Sequence, residues 1–324
     1  MPSTGNWQIP PAKQPDRSDF GFDVDAALNA VVGLTSQVPA DAFTADTLGT
    51  ERGGHGVLIR PGIVLTIGYL ITEAETIWIS AGGRVVPGHA LGYDQETGFG
   101  LVQALDRIDI EPVPLGSSAG AALGDTVIFA GSGGRRHALV ATLVAKQEFA
   151  GYWEYVLDEA IFTGPAHPFW GGGAVLDEAG RLIGVGSLQI EHRRPSGETV
   201  TLNMVVPIDL LKPILDEMLT TGQVARPKRP WLGLYVAEVD DGFAVIGIAE
   251  GGPADSAGIR PGDRVRAIAG AEPASLAALF RAIWASGAAG DTVRLALERD
   301  GKPHEIAVVS SERGRFLKGP KLHS

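Results

Sequence analysis

The 324-residue sequence contains no cysteine, which excludes disulfides, zinc–thiolate sites and a thiol nucleophile. No apolar run reaches the roughly 18 residues needed to cross a bilayer. Aromatic residues make up only 7%, and 27 Lys and Arg face 38 Asp and Glu. A net charge of −11 leaves no basic surface for general nucleic-acid binding. The first residues, MPSTGNWQIPPAKQPDRSDF, have neither the basic start nor the apolar stretch of a secretory signal. The expected compartment is therefore cytoplasmic, or periplasmic if a leader has been removed. There is no Walker A loop, no dinucleotide-binding glycine motif after a strand and no EF-hand loop. The seven His residues are scattered without H-x-H or H-x-x-x-H spacing, so neither a cofactor nor a metal is expected.

What is abundant is turn chemistry: 44 Gly and 21 Pro. From about residue 28 to 206, a dozen short apolar stretches alternate with Gly/Pro punctuation. They include Ile63–Ile67, Thr76–Ser80, Phe99–Ala104 and Thr126–Gly131. That spacing fits a β-barrel or sandwich rather than βαβ units. The turns Gly133–Arg136 and His192–Gly197 read as solvated hairpin ends. A helix is expected over Asp209–Leu219, with Leu211, Leu215, Met218 and Leu219 at helical spacing and Gly222 as its stop. A second helix is expected over Ser275–Ser286, where Leu276, Leu279, Phe280, Ile283 and Trp284 form one apolar stripe.

These breaks divide the chain into an N-terminal arm (1–27), a barrel segment (28–220), a linker (221–230), a second domain (231–310) and a tail (311–324). The tail carries Arg313, Arg315, Lys318 and Lys321 and reads as a solvated basic end. The arm is either frayed or docks on a neighbouring subunit through Trp7, Phe20 and Phe22.

Six blocks in order resemble the HtrA/Deg-type trypsin-like serine proteases that carry a C-terminal PDZ domain. They are GHGVLIRPGIVLTIGYLITEAETI, GYDQETGFGLVQAL, VPLGSSAGAALGDTVIFAG, WGGGAVLDEAGRLIGVGSL, VVPIDLLKPILDEML and the run from RPWLGLYV to AGIRPGDRVRAIAG. The resemblance covers about residues 28–310. It implies a mainly β chain: a double antiparallel β-barrel of chymotrypsin/trypsin-like type, then an α+β PDZ domain.

A serine protease needs a hydroxyl nucleophile, an imidazole base and a carboxylate that orients the base. On the matched blocks these roles fall on Gly171, Tyr69 and Gly98. Glycine offers neither nucleophile nor acceptor, and a phenol with pKa near 10 is a poor base at pH 7. No Ser or Thr lies between Gly164 and Ser187, so a slip of alignment does not restore a nucleophile. The segment before Gly171 is about four residues longer than the family's and holds His167, Phe169 and Trp170. The two aromatics read as a lid over an unused cleft or as the floor of a ligand site. The resemblance implies an inactive protease domain. A rewired hydrolase using His167, Tyr69 or Glu159 is the rival enzyme reading.

The second domain keeps more of its family's binding features. PDZ domains take an extended peptide as an added strand and hold its terminal carboxylate on backbone N–H groups. The matching residues are Leu232, Gly233, Leu234 and Tyr235, with Leu276, Leu279 and Phe280 on the facing helix. The implied partners are protein or peptide C-termini, with the chain acting as adaptor or scaffold. A purely structural subunit with a closed groove is the third reading. The family resemblance further implies a homotrimer, with Phe20 and Phe22 near the contact.

Overall fold

The structure is a computed structural model, and it describes residues 7–194 and 196–319. Two compact units emerge. Among the described residues, the first comprises residues 7–147, 159–194, 196–224 and 319, and the second residues 148–158 and 225–318.

The first unit holds two closed barrels of six strands each. One is built from β1 (Val31–Gln37), β2 (Glu51–Arg60), β3 (Ile63–Ile67), β4 (Thr76–Ala81), β5 (Arg84–Tyr93) and β6 (Phe99–Ala104). The other is built from β7 (Thr126–Ala130), β8 (Ala138–Gly151), β9 (Tyr155–Gly164), β10 (Ala174–Leu176), β11 (Leu182–Arg193) and β12 (Thr199–Pro207). Period-two burial shows in β4, where Ile77 and Ile79 point inward and Trp78 is exposed. Closure removes the strand edges that an open sheet would leave unpaired. The second barrel is filled by Val127, Phe129, Leu143, Ile161, Val175, Ile183 and Val205.

The expected helix over Asp209–Leu219 forms only in its last part. A 3₁₀ turn covers Ile208–Leu210, and the α-helix runs Leu215–Thr221. Pro213 lacks the N–H that a continuous helix would need there. Gly222 ends the helix in the left-handed region, its N–H on the Met218 carbonyl at 3.0 Å.

Several segments read as solvated are packed. The N-terminal arm docks on its own barrel: Ile9 N–H donates to the Arg136 carbonyl at 2.8 Å, and Trp7 stacks on His137. The Gly133–Arg136 turn stays half-buried to exposed, as expected, and the arm touches it through the Ile9–Arg136 main-chain bond; residues Gly134–His137 form a short 3₁₀ segment. Phe20 and Phe22 pack edge to face, with ring centroids 5.7 Å apart. In the tail, Arg313–Phe316 forms a 3₁₀ turn and Phe316 lies against Trp231. Lys321 lies outside the described residues.

The second unit contains a five-stranded sheet in the order β13 (Leu234–Val239), β14 (Gly242–Ile248), β15 (Arg264–Ile268), β16 (Thr292–Arg299) and β17 (Lys302–Val309). The expected helix appears as Leu276–Ala285, capped by Ser275, whose hydroxyl accepts from Ala278 N–H at 3.1 Å. Its stripe of Leu276, Leu279, Phe280 and Ile283 is buried with Leu232, Leu234, Val236 and Leu295.

Arg52 fixes the segment that carries Tyr69. Its buried guanidinium donates to the Tyr69 and Thr72 carbonyls, each at 2.9 Å, and to Thr44 Oγ1 at 2.7 Å. Glu73 binds the other side of Thr44, accepting from its N–H and hydroxyl. Arg52→Ala would leave two buried carbonyls unpaired. The expected loss of stability is about 3 kcal/mol in urea denaturation of the barrel unit. Arg52→Lys should recover less than half of it, because an ammonium cannot span acceptors laid out for a planar fork.

Candidate functional site

In the first unit, the positions matched to the three catalytic roles lie on β3's exit, the β5–β6 turn and the loop before β10. Tyr69 sits in the 3₁₀ turn Gly68–Leu70 directly after β3. Gly98 closes the turn that leads into β6, and its carbonyl accepts from Gly68 N–H at 2.7 Å. Asp94 holds that turn from the side by accepting from Thr97 N–H and Thr97 hydroxyl. Gly98 has φ +81°, a conformation that penalises any side chain there. Tyr69 reaches Gly171: a Cβ built at residue 171 would lie 2.8 Å from the phenol oxygen.

Tyr69 is immobilised by its partners. Its hydroxyl donates to the Ser187 carbonyl at 2.9 Å, and the Trp170 side chain hydrogen-bonds to it. Burial pushes the phenol well above its ordinary range, so it stays protonated near neutrality.

The loop before Gly171 is organised around His167, which is fully buried. Asn203 holds its backbone at both ends: His167 N–H donates to Asn203 Oδ1 at 2.6 Å, and Asn203 Nδ2 donates to the His167 carbonyl at 3.1 Å. The imidazole accepts Phe169 N–H on Nδ1 and donates from Nε2 to the His137 carbonyl, each at 3.1 Å. In a trypsin-like site the N–H groups of the nucleophile and of the residue two before it receive the oxyanion. Here the earlier of those donors, Phe169 N–H, is committed to His167. Phe169 packs edge-on against Trp7 at 4.7 Å, and Trp170 packs on the core of the second barrel. His167 and Tyr69 therefore have separate partner sets, and Glu159 pairs with Lys146 at 3.1 Å.

The sequence reading passed over His55. It lies on β2, and its Nδ1 accepts from Ser132 N–H at 3.1 Å with Ser132 Oγ at the same distance. Burial depresses the pKa of His55 to about 4, reinforced by His167 and His137 nearby. Burial likewise depresses His167 to about 4, against the hydrogen bond to the His137 carbonyl that favours its charge. Among the described residues, no group of three or more His, Asp or Glu could hold a metal ion.

In the second unit the residues matched to a carboxylate-binding loop face a carboxylate. Gly233 has φ +76°, and this turns the N–H groups of Leu232, Gly233 and Leu234 to one side. All three donate to Glu154, whose Oε1 lies 2.7 Å from Gly233 N and 2.9 Å from Leu234 N. Glu154 is almost wholly buried, and burial raises its pKa to about 7, opposed by the three N–H groups and by Arg313. One further main-chain bond joins Val236 N–H to the Tyr152 carbonyl at 2.9 Å, on β13, the edge strand of the sheet. Leu232, Leu234, Leu276, Leu279 and Phe280 share one buried cluster, which also takes in Val156. Tyr235 is half-buried, with its ring beside that of Tyr152. Glu154 escaped the sequence reading. The only local signal was a single acid within the aromatic run Tyr152–Tyr155.

A trypsin-like peptidase domain model matches residues 54–185, and a PDZ domain model matches residues 230–309. The serine protease Do-like HtrA of Bacillus subtilis is 24% identical over 88% of this chain and 70% of its own length. A probable periplasmic serine endoprotease, DegP-like, of Chlamydia trachomatis is 26% identical over 96% of this chain and 64% of its own. The chain thus joins a trypsin-like peptidase domain to a PDZ domain and is similar to HtrA- and DegP-type serine proteases.

A second DegP-like protein, from Pseudomonas savastanoi, is 28% identical, and the match spans 56% of its length. Among solved structures, the HtrA-type protease AlgW with a decapeptide shares the fold at a TM-score of 0.52 and 21% identity. That match covers 92% of this chain and 98% of AlgW. An AlgW variant with a tripeptide matches at a TM-score of 0.53 and 22% identity, over 92% and 97%. Among the described residues, no helix is long and apolar enough to cross a membrane.

The buried imidazoles generate a pH prediction. Both have folded-state pKa values below the ordinary 6.5, so the unfolded chain binds more protons between about pH 6.5 and 4. Their contribution to barrel stability is intact above pH 6.5 and is lost as the pH falls toward 4. In an NMR titration, His55 and His167 should show midpoints near 4. A midpoint above 6 for either would contradict burial in the neutral form.

Proposed function

We propose that the chain is a catalytically inactive member of the HtrA family that binds protein or peptide C-termini through its PDZ domain, as an adaptor or scaffold. The observation that carries the first half is the filled nucleophile position. Residue 171 is glycine, and the Tyr69 phenol stands where a side chain on it would begin. The matched base is a protonated phenol held by Ser187, and the matched orienting position is a left-handed glycine. One oxyanion donor is committed to His167. The chemistry of acyl transfer has no nucleophile, base or complete oxyanion cradle to work with.

The second half is supported by the PDZ match and by the loop Leu232–Leu234, whose three N–H groups converge on a carboxylate. The family's C-terminal peptide mode uses the same donors together with the edge of β13. Trimeric assembly through Phe20 and Phe22 belongs to this reading. It is checked by light scattering of the intact protein and of a Phe20→Ala, Phe22→Ala variant, which should fall to monomer mass.

The decisive experiment is activity. The purified chain should neither cleave casein nor label with a serine-directed phosphonate. Gly171→Ser alone should stay inactive, because triad members act as a unit. It should also lose stability, since its Cβ must displace Tyr69 from the Ser187 carbonyl. Turnover that survives purification to homogeneity would sink the reading.

A further inference from the structure

The Glu154 contact repeats, within one chain, the layout of a bound C-terminal peptide. A terminal carboxylate would sit on the N–H groups of Leu232, Gly233 and Leu234, and Glu154 carries its carboxylate there. A peptide adding to the sheet would pair its main chain with β13. The Tyr152 carbonyl, two residues back from Glu154, accepts from Val236 N–H on that strand. A terminal apolar side chain would enter the pocket between loop and helix, and Val156 joins the cluster of Leu232, Leu234, Leu276 and Leu279.

The hairpin tip is braced for this position. Arg281, on the facing helix, pairs with both Glu148 and Asp158, one on each arm of the tip. Trp153 stacks on Tyr155, and Phe149 packs against both. Glu154 itself adopts φ +59°, which a side chain other than glycine's rarely takes. The tip holds that conformation while its carboxylate meets the three donors.

We infer that the segment Glu148–Asp158 is a built-in ligand of the PDZ domain, with the Glu154 side chain standing in for a terminal carboxylate, so that a C-terminal peptide gains the site only when this segment withdraws. The inference rests on the peptide-binding reading for its competitor, but the internal contact is separately measurable. A tethered ligand acts at a high effective concentration, so a free peptide meets a competitor that dilution does not remove.

The test uses the full-length protein, a fluorescent decapeptide ending in a free-carboxylate leucine, and the same decapeptide amidated. Glu154→Ala and Glu154→Gln should each bind the free-carboxylate decapeptide about tenfold tighter than the unmodified protein, with no gain for the amidated one. Glu178→Gln, exposed and in the first unit, serves as the unchanged control. Without peptide, the amides of Leu232, Gly233 and Leu234 should exchange at least about tenfold faster in Glu154→Ala. Unchanged exchange in a folded Glu154→Ala protein overturns the built-in ligand, whatever the peptide does. Equal peptide affinity in the unmodified protein and both variants overturns the competition. Faster exchange with no peptide bound by any form supports the internal contact and removes the peptide-binding reading instead.

Discussion

The first unit depends on a close backbone approach between β2 and the loop that enters β10. His55 N–H donates to the Gly171 carbonyl at 2.8 Å, and the His55 carbonyl accepts from the Thr66 hydroxyl at 2.6 Å. Glycine makes this approach possible from both sides. A Cβ at Gly54 would lie 2.6 Å from the Gly171 carbonyl, and one at Gly172 would lie 1.8 Å from the His55 carbonyl. Two strands of main chain thus pass where side chains have no room, and the neighbouring groups inherit their positions from that contact. The His55 ring turns to Ser132, Gly171 is held under Tyr69, and Trp170 is carried onto the core of the second barrel.

The same contact fixes the surroundings of Tyr69 and Gly171. In an active trypsin-like site the nucleophile and base are held by a surrounding shell of main-chain bonds. Here main-chain bonds hold Gly171, whose carbonyl accepts from His55 N–H, beside the Tyr69 phenol. Volume left by a missing serine side chain would be a cavity with a stability cost. Tyr69 occupies it, and its hydroxyl gains the Ser187 carbonyl as a partner. His167 solves a similar problem one loop away. It is buried, neutral and hydrogen-bonded on both ring nitrogens, so no uncompensated polar atom of that ring remains.

Much of the frame was readable from local pattern. Ile63–Ile67 and Phe99–Ala104 come out with the expected bounds, because alternating or continuous apolar runs ended by Gly and Pro leave few other solutions. Gly222 and Ser275 cap helices as their chemistry requires. That Gly68, Gly98 and Gly171 come close to Tyr69 or its turn follows from the order of the strands that carry them. What escaped had no local signature. The arm's packing depends on Trp7 finding His137, 130 residues away in sequence. Glu154 looks like any hairpin acid until Leu232–Leu234 supply three donors from 78 to 80 residues downstream. Long-range satisfaction of a polar group cannot be read from its neighbours in sequence.

The energetics of Glu154 separate a built-in ligand from a structural ion pair. A carboxylate that gains more from its donors than it loses on leaving water shows a depressed pKa. Glu154 is raised to about 7, so burial outweighs the three N–H groups and Arg313. Its charged form is held at a net cost, and that part of stability falls as pH rises from about 4.5 through 7, the opposite sense to His55 and His167. A peptide α-carboxyl has an intrinsic pKa near 3.5, lower than a glutamate side chain, and is thus more readily ionised against the same donors. It also carries its apolar side chain and its carboxylate on one residue, whereas the hairpin divides them between Glu154 and Val156 across a left-handed turn. The donors therefore favour an incoming terminus over the resident glutamate per contact, and the tether favours the resident.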